Sequence, residues 1–353
     1  MKLIGRVIFC AILLLVTGVL LALAAAVPDF LMLQYQAFSG MALQAIGTVT
    51  NQIPFALWEA LALILLLFGV YSLIRAIAKK RILRWLAGVL ELASILALVF
   101  TALWGLNHFA PTVEEKIGLP VREYSAQELA SATAYYAAQA GQFGASISRD
   151  ANGLGEFSDF SVIAGQAADG YAVLGKTYDV FEGENPTVKK LAAWPLYSRF
   201  GMTGYYICFT AEASVNPDTY RAWLPFTMCH EIAHQKLIAQ EDGANFCAYL
   251  ACMENENPQF RYSGAMAAFV YCSNALSKTD PQAFAQIWQT LDPGLRADLD
   301  AANAHYEQYE GSVQDAAQTV TDAYLKTFSE KSGVQSYGEA ADLLIAWYLQ
   351  NNA

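Results

Sequence analysis

The segment PFTMCHEIAHQ, residues 225–235, carries two histidines four positions apart, with a glutamate directly after the first. An α-helix turns about 100° per residue, so His230 and His234 lie one turn apart on one face and can direct two imidazoles at one ion. Glu231 lies beside them, where a carboxylate can take a proton from an attacking water. This H-E-x-x-H spacing is typical of zinc metallopeptidases.

A chance match on a surface helix is the alternative, because the motif is short. Two observations favour a metal site. The whole chain has only four histidines, and the residues flanking the motif, FTMC and IA, are uncharged, as expected for a buried helix.

A catalytic zinc ion usually has three protein ligands and one open position, which requires a third ligand downstream. The turn QEDG, residues 240–243, precedes a helical pattern that would return antiparallel over the first helix. Glu241 is the expected ligand, because Asn245 lies on the same face and can hydrogen-bond a ligand histidine. Asp242 is the alternative. Two histidines and a glutamate are the ligand set of thermolysin-type peptidases.

Three further residues are weaker candidates. Glu212, in a strand-like segment, faces either substrate or solvent. Arg261 and Tyr262 could polarise a carbonyl or stabilise an oxyanion, or serve only in packing and ion pairing.

Three long apolar segments precede the motif in a chain that is 55% hydrophobic and 15% charged. Residues 7–27 contain no charge, residues 55–74 only Glu59, and residues 85–106 only Glu91. Each can cross a hydrocarbon core of about 30 Å as a helix. A cleaved signal peptide is the alternative for the first segment, but its apolar run exceeds the ~7–15 residues usual for one. The two glutamates are costly in lipid and indicate either a functional role or a side chain facing the helix bundle.

The lysines and arginines predict the orientation of these spans. Lys2 and Arg6 precede the first span, residues 28–53 contain neither residue type, and five cations lie between the second and third spans: Arg75, Lys79, Lys80, Arg81 and Arg84. The positive-inside rule therefore places the N-terminus and the basic hairpin in the cytoplasm. We predict a multi-pass protein of the cytoplasmic membrane whose C-terminal domain is extracytoplasmic.

The net charge indicates which classes of binding partner to expect, and the cysteine spacing indicates whether to expect disulfides. With a net charge of −11, nucleic acid is not expected, because phosphate binding requires clustered cations and the main basic cluster is explained by topology. The expected partners are the lipid bilayer and a peptide or protein. The six cysteines include no C-x-x-C pair, so buried thiols are expected, with one or two disulfides as the alternative.

The predicted fold class is α+β and mainly helical. Residues 1–107 form the membrane region, and residues 108–353 form a zincin-like domain with a small sheet. Residues 205–215 are the best strand candidate. Ser125 and Glu128 form a capping-box pattern, and Asn-Pro or Asp-Pro pairs at 257, 280 and 292 predict helix starts.

Five segments together resemble a bacterial family of uncharacterised membrane proteins, the domain of unknown function 3810 family: WPLYSRFGMTGYYICFTAEASVN, LPFTMCHEIAHQ, EDGANFCAYLAC, FRYSG and SYGEAADLLIAWYL. The resemblance covers nearly the whole chain. It implies a gluzincin-like zinc metallopeptidase in which His230 and His234 bind the metal and Glu231 is catalytic.

Two positions depart from the usual pattern of that family. Its E-x-E-A-N-F segment here has Gly243 at the second acidic position, while Glu241 is retained at the first. If the second glutamate is the family's third ligand, this chain has lost it. The pair Lys236-Leu237 also stands where the family usually has a glycine.

The expected function is zinc-dependent hydrolysis of peptide bonds on the outer side of the cytoplasmic membrane, with substrate adding as an extra strand to residues 205–215. The alternative is a catalytically degenerate, zincin-like binding or sensing module anchored in the membrane, for which Gly243 is the main support. Intramembrane proteolysis fits poorly, because the motif lies far from the spans.

Overall fold

The computed structural model describes residues 3–183, 187–328 and 336–352. Its elements form two compact units. The first comprises Met1–Ala110 with Ile207–Glu212, and the second comprises Pro111–Tyr206 with Ala213–Ala353. The chain is mainly helical with one small sheet, which confirms the predicted α+β class.

The first unit contains four helices of 22 residues each: α1 Leu3–Ala24, α2 Asp29–Thr50, α3 Leu57–Ala78 and α4 Ile82–Leu103. Of these, α1, α3 and α4 are long and apolar enough to cross a membrane, which confirms the three predicted spans. Their ends differ from the predicted ends by at most four residues. At three ends the helix extends past a flanking cation, Arg6, Arg75 or Arg84, whose long side chain can reach away from lipid, and the other three ends are shorter than predicted.

The connection between the first two spans is itself a helix, α2, which the charge pattern did not predict. One stripe of α2 is buried and includes Met32, Ser39 and Leu43. The Ser39 hydroxyl donates to the carbonyl of Leu103 (2.6 Å), which attaches α2 to the end of α4.

Glu91 faces a neighbouring helix rather than lipid. Its carboxylate accepts from Arg6 Nε (2.7 Å) and lies 2.5 Å from another guanidinium nitrogen of the same residue. This ion pair joins α1 to α4, so the structure supports the bundle-facing interpretation of Glu91. A charge pair inside a membrane unit costs less than either charge alone.

The second unit contains twelve described α-helices and most of the sheet. The helices are α5 Val113–Ile117, α6 Ala126–Gly144, α7 Phe160–Gln166, α8 Asp169–Leu174, α9 Trp194–Arg199, α10 Leu224–Gln235, α11 Glu241–Glu254, α12 Pro258–Thr279, α13 Pro281–Gln289, α14 Pro293–Glu307, α15 Ser312–Thr327 and α16 Ser336–Asn352. The strands are β1 Lys189–Lys190, β2 Gly204–Ile207 and β3 Glu212–Val215.

The helix starts follow the predicted local signals. Ser125 and Glu128 form a capping box at the start of α6. The side chains of Asn257, Asp280 and Asp292 accept backbone N–H groups at the starts of α12, α13 and α14. Each signal acts within one turn, which explains why the sequence alone could locate it.

The predicted single strand over residues 205–215 is wrong in detail, because the chain turns within it. Strands β2 and β3 are separated by a turn in which Ala211 has a φ of 51°. The sheet order is β1-β3-β2, with β1 parallel to β3 and Lys189 opposite Ser214. Thus β3 is central and β2 is an edge strand.

Glu212, at the start of β3, neither faces solvent nor offers its carboxylate to a substrate. It is 2% exposed, and its two carboxylate oxygens accept from the backbone N–H groups of Leu57 and Trp58 at 3.0 Å each. Glu212 therefore caps the N-terminus of α3, where a negative charge is favoured by the helix dipole. This corrects the substrate-facing and solvent-facing interpretations.

The core of the second unit surrounds α10, α11 and α12. Its fully buried side chains include Tyr136, Phe246 and Phe269. All six cysteines are free and buried, as expected from their spacing. The motif helix thus lies inside a packed domain rather than on its surface.

Candidate metal centre

Helix α10 carries the H-E-x-x-H motif through the interior. Pro225 occupies its first turn, a position where the missing N–H costs no helical hydrogen bond. Ten of its twelve residues are buried, including Glu231 and His234. The hydroxyl of Tyr171 donates to the carbonyl of Cys229 (2.8 Å) and holds the middle of the helix. A surface-helix origin of the motif is therefore excluded.

The chain reverses between α10 and α11 over residues 236–240. Leu237 has a φ of 64°, the left-handed conformation that favours glycine. Its N–H donates to the carbonyl of His234 (3.0 Å), and the N–H of Ile238 donates to that of Ala233 (3.2 Å). These bonds end α10 and return the chain, so that α11 begins at Glu241. The pair Lys236-Leu237, singled out from the sequence, lies in this strained turn.

His230, His234 and Glu241 converge on one point. The Nε2 atoms of the two histidines are 3.2 Å apart, Glu241 Oε2 is 3.3 Å from His230 Nε2, and Glu241 Oε1 is 3.8 Å from His234 Nε2. All three ligand atoms lie within 4.8 Å of one another. In tetrahedral zinc sites with bonds of about 2.0–2.1 Å, ligand atoms are about 3.3 Å apart. The donor set and its spacing fit a zinc ion, whereas the assignment as a metal site stays a prediction.

The two imidazoles are oriented by different partners. His234 Nδ1 lies 2.7 Å from the carbonyl of Ile238, which fixes the proton on Nδ1 and leaves Nε2 to face the cluster. Asn245, one turn after Glu241, makes the smallest contribution to the raised pKa of His230, and neither His230 Nδ1 nor Asn245 Nδ2 has a hydrogen-bond partner among the described residues. The hydroxyl of Tyr271 donates to Asn245 Oδ1 (3.0 Å) and positions that amide.

The pKa of His230 is raised above its usual range. Burial, the largest influence, lowers it, but the hydrogen bond and charge of Glu241, with the charge of Glu231, outweigh burial. A buried imidazole beside two carboxylates attracts positive charge. Either a proton or a metal cation can supply this positive charge.

Glu231 lies beside the three ligand residues, on the side of the edge strand β2. It is 4% exposed, and its Oε2 is buried with no hydrogen-bond partner among the described residues. Burial raises its pKa to about 8, against the lowering effect of His230 and with a further increase from Glu241. A Cβ atom at Gly204 would lie 2.8 Å from Glu231 Cγ, so only glycine leaves room for this carboxylate.

The neighbours of Glu241 in the first turn of α11 do not join the cluster. Asp242 Oδ1 accepts from the N–H of Gly243 (2.8 Å), and Asp242 is absent from the grouped ligand atoms of the described residues. A Cβ atom at Gly243 would lie 3.2 Å from Ile238 Cγ2 and 3.3 Å from Val113 Cγ1. Position 243 therefore faces apolar side chains, and its glycine removes no member of the cluster.

The weaker candidates serve structural contacts. The Tyr262 hydroxyl donates to Asp298 (2.5 Å), and Arg261 Nε donates to the carbonyl of Asn255 (2.8 Å). Sequence reasoning missed Gly204 and Tyr271, since no local spacing connects them to the motif.

Comparison with known proteins identifies one related family. The family described as "Protein of unknown function (DUF3810)" matches residues 35–345 of the chain. No curated protein and no solved structure matches the chain significantly. The match begins within α2 and includes α3, α4 and all the residues of the candidate centre.

Proposed function

The chain belongs to the DUF3810 family of proteins of unknown function, and from the chemistry of its buried centre we propose that it is a membrane-anchored zinc metallopeptidase. It would hydrolyse peptide bonds on the outer side of the cytoplasmic membrane. The observation that carries the proposal is the convergence of His230, His234 and Glu241 within 4.8 Å, beside the buried carboxylate of Glu231.

His230, His234 and Glu241 would hold the ion. When bound, the ion would polarise the scissile carbonyl as a Lewis acid and would lower the pKa of the attacking water. Glu231 acts as the proton carrier. It takes a proton from the attacking water at one carboxylate oxygen and passes it to the departing amine. Its burial supports this role, because a desolvated carboxylate with a raised pKa is a stronger base than a solvated one.

Strand β2 offers a place for the substrate backbone. It is an edge strand of the three-stranded sheet, so an extended peptide can add to it by main-chain hydrogen bonds. Gly204 of β2 lies against Glu231, and Tyr205 is close enough for the charge of Glu231 to contribute, after burial and Tyr197, to its raised pKa. A peptide bound to β2 would therefore lie next to Glu231.

The outward orientation follows from the positive-inside rule applied to three apolar helices. Arg75, Lys79, Lys80, Arg81 and Arg84 flank the turn between α3 and α4. If that turn is cytoplasmic, the end of α4 at Leu103 lies at the opposite side, and the second unit follows it in sequence.

The degenerate binding or sensing module remains the other hypothesis. Its sequence support was Gly243, where an added Cβ atom would meet Ile238 and Val113 and no atom of the cluster is among its three nearest neighbours. This observation favours the enzyme over the module.

The test uses the full-length protein purified in neutral detergent. Bound metal is measured by elemental analysis, and cleavage is measured by mass spectrometry on a peptide mixture. Wild type should carry about one zinc per chain and cleave peptides. His230→Ala should lose the metal, whereas Glu231→Gln should keep it and lose cleavage by about 100-fold or more. Wild type without zinc would overturn the metal site, and zinc without Glu231-dependent cleavage would favour the module.

A further inference from the structure

A shallow surface cavity of about 300 Å³, largely open to its surroundings, lies at the turn between α3 and α4, entirely within the first unit. Four exposed cationic side chains line it: Arg75, Lys79, Arg81 and Arg84. The rest of its lining is aromatic, small or apolar: Phe68, Tyr71, Ser72, Ala76 and Trp85. We propose that this cavity, called here the hairpin cavity, binds the anionic headgroup of a phospholipid.

The charge of the hairpin cavity is not compensated by the protein. No carboxylate lines it, and none of its four cations forms an ion pair within residues 3–183, 187–328 and 336–352. Arg6 of α1 provides a contrast, because Glu91 neutralises it inside the same unit. Four like charges around one open groove repel one another, and an anion bound among them would reduce that repulsion.

The start of α4 adds to this preference. Arg81 is its N-cap residue, no side chain caps the helix there, and its first turn has no acidic residue. The N-terminus of a helix carries a partial positive charge and free N–H groups, which favour a phosphate. Arg81 lines the hairpin cavity, so the uncapped start of α4 adjoins its cations.

The local fold shapes the hairpin cavity. Lys80 has a φ of 52°, and the N–H of Arg81 donates to the carbonyl of Ala76 (2.7 Å), so α4 begins directly after a tight turn. Trp85 Nε1 donates to Ser72 Oγ (2.9 Å) and joins the two helices across the cavity. Arg75 NH1 donates to the Tyr71 hydroxyl (3.4 Å). These contacts hold the wall before any ligand enters.

A lipid headgroup is favoured over a free anion by what surrounds the hairpin cavity. Both helices are candidate membrane spans, and exposed apolar side chains such as Ile74, Ile77 and Leu83 continue along them. Acyl chains can lie against these surfaces while the phosphate meets the cations. Basic pockets between membrane helices on the cytoplasmic side are a known form of anionic lipid site.

Positive charge alone would follow from topology, so the test must separate a site from diffuse attraction. Lys80 supplies the matched control, because it lies in the same turn with the same charge but does not line the hairpin cavity. Full-length protein in neutral detergent is titrated with short-chain phosphatidylglycerol, with phosphatidylcholine of equal chain length, and with inorganic phosphate. Thermal stabilisation reports binding.

Phosphatidylglycerol should stabilise the wild type at lower concentrations than either comparison ligand. Arg81→Gln should raise the required concentration about fivefold, as expected for one lost charge contact, and Lys80→Gln should leave it unchanged. Lys79→Gln is the second cavity variant should Arg81→Gln lower the melting temperature without lipid. Equal effects of Lys80→Gln and the cavity variants, equal stabilisation by phosphatidylcholine, or equal stabilisation by inorganic phosphate would each overturn the proposal.

Discussion

Gly204 of the edge strand β2 lies directly against the side chain of Glu231 on α10. A methyl group on Gly204 would be 2.8 Å from Glu231 Cγ and closer still to Oε1. The strand expected to hold substrate and the residue expected to move the proton are therefore in van der Waals contact. The H-E-x-x-H motif by itself does not predict this contact.

Gly204→Ala should abolish peptide cleavage without releasing zinc. The added methyl group must displace the Glu231 carboxylate, and a displacement of about 1 Å at a reacting group costs about 100-fold in rate. The three atoms nearest to this methyl group all belong to Glu231, so metal content should stay at the wild-type level. Gly165→Ala is the control, because a Cβ atom there meets nothing within 4 Å. Full activity of Gly204→Ala would remove Glu231 from the reaction.

Glu241→Gln and Asp242→Asn form a matched pair that identifies the third ligand. Each removes one negative charge from the first turn of α11 without changing side-chain size. Zinc affinity should fall by about 100-fold or more in Glu241→Gln, since even an outer partner of a ligand contributes about 10- to 100-fold. Asp242→Asn should bind zinc as the wild type does. A metal titration checks this pair, and the opposite ranking would assign Asp242 as the ligand.

Leu237 carries backbone strain that glycine would relieve. At its φ of 64°, a Cβ atom disfavours the left-handed conformation by about 1 kcal/mol or more. Leu237→Gly should therefore be more stable than Leu237→Ala by about 1 kcal/mol, although glycine is more flexible when unfolded. Both variants lose the leucine side chain, so that loss cancels in the comparison. Thermal unfolding in detergent measures the remaining difference in stability. An alanine variant as stable as the glycine variant would show that the turn relaxes.

Asp298 has a structural role in the second unit rather than a catalytic one. It is fully buried and accepts from the Tyr262 hydroxyl, from Arg149 NH1 (3.1 Å) and from the Gly155 N–H (2.8 Å). Asp298→Ala should lower the free energy of unfolding by about 3–5 kcal/mol, because it leaves the Arg149 guanidinium without its carboxylate partner, although two backbone carbonyls still accept from it.

Tyr262→Phe should be milder, at about 2 kcal/mol, because Asp298 keeps two donors. The folded fraction of this variant should retain wild-type zinc content and cleavage. Loss of cleavage per folded molecule would return Tyr262 to the list of catalytic candidates.

The features that the sequence predicted well are those that depend on short stretches of chain. Helix spacing placed His230 and His234 on one face, and N-cap residues such as Ser125 and Asp292 located helix starts. Apolar length alone located three candidate membrane spans. The family resemblance was likewise confirmed over residues 35–345.

By itself, the sequence determined the membrane-type helices, the helical character and the spacing of the histidine pair, because hydrophobicity and helix geometry act locally. Only the tertiary structure decided that Glu241, rather than Asp242, meets the imidazoles, since that choice depends on how residues 236–240 reverse the chain. It also converted Glu212 from a substrate-facing candidate into the cap of α3, and it brought Gly204 against Glu231. These contacts join residues far apart in sequence, so packing of the whole chain determines them.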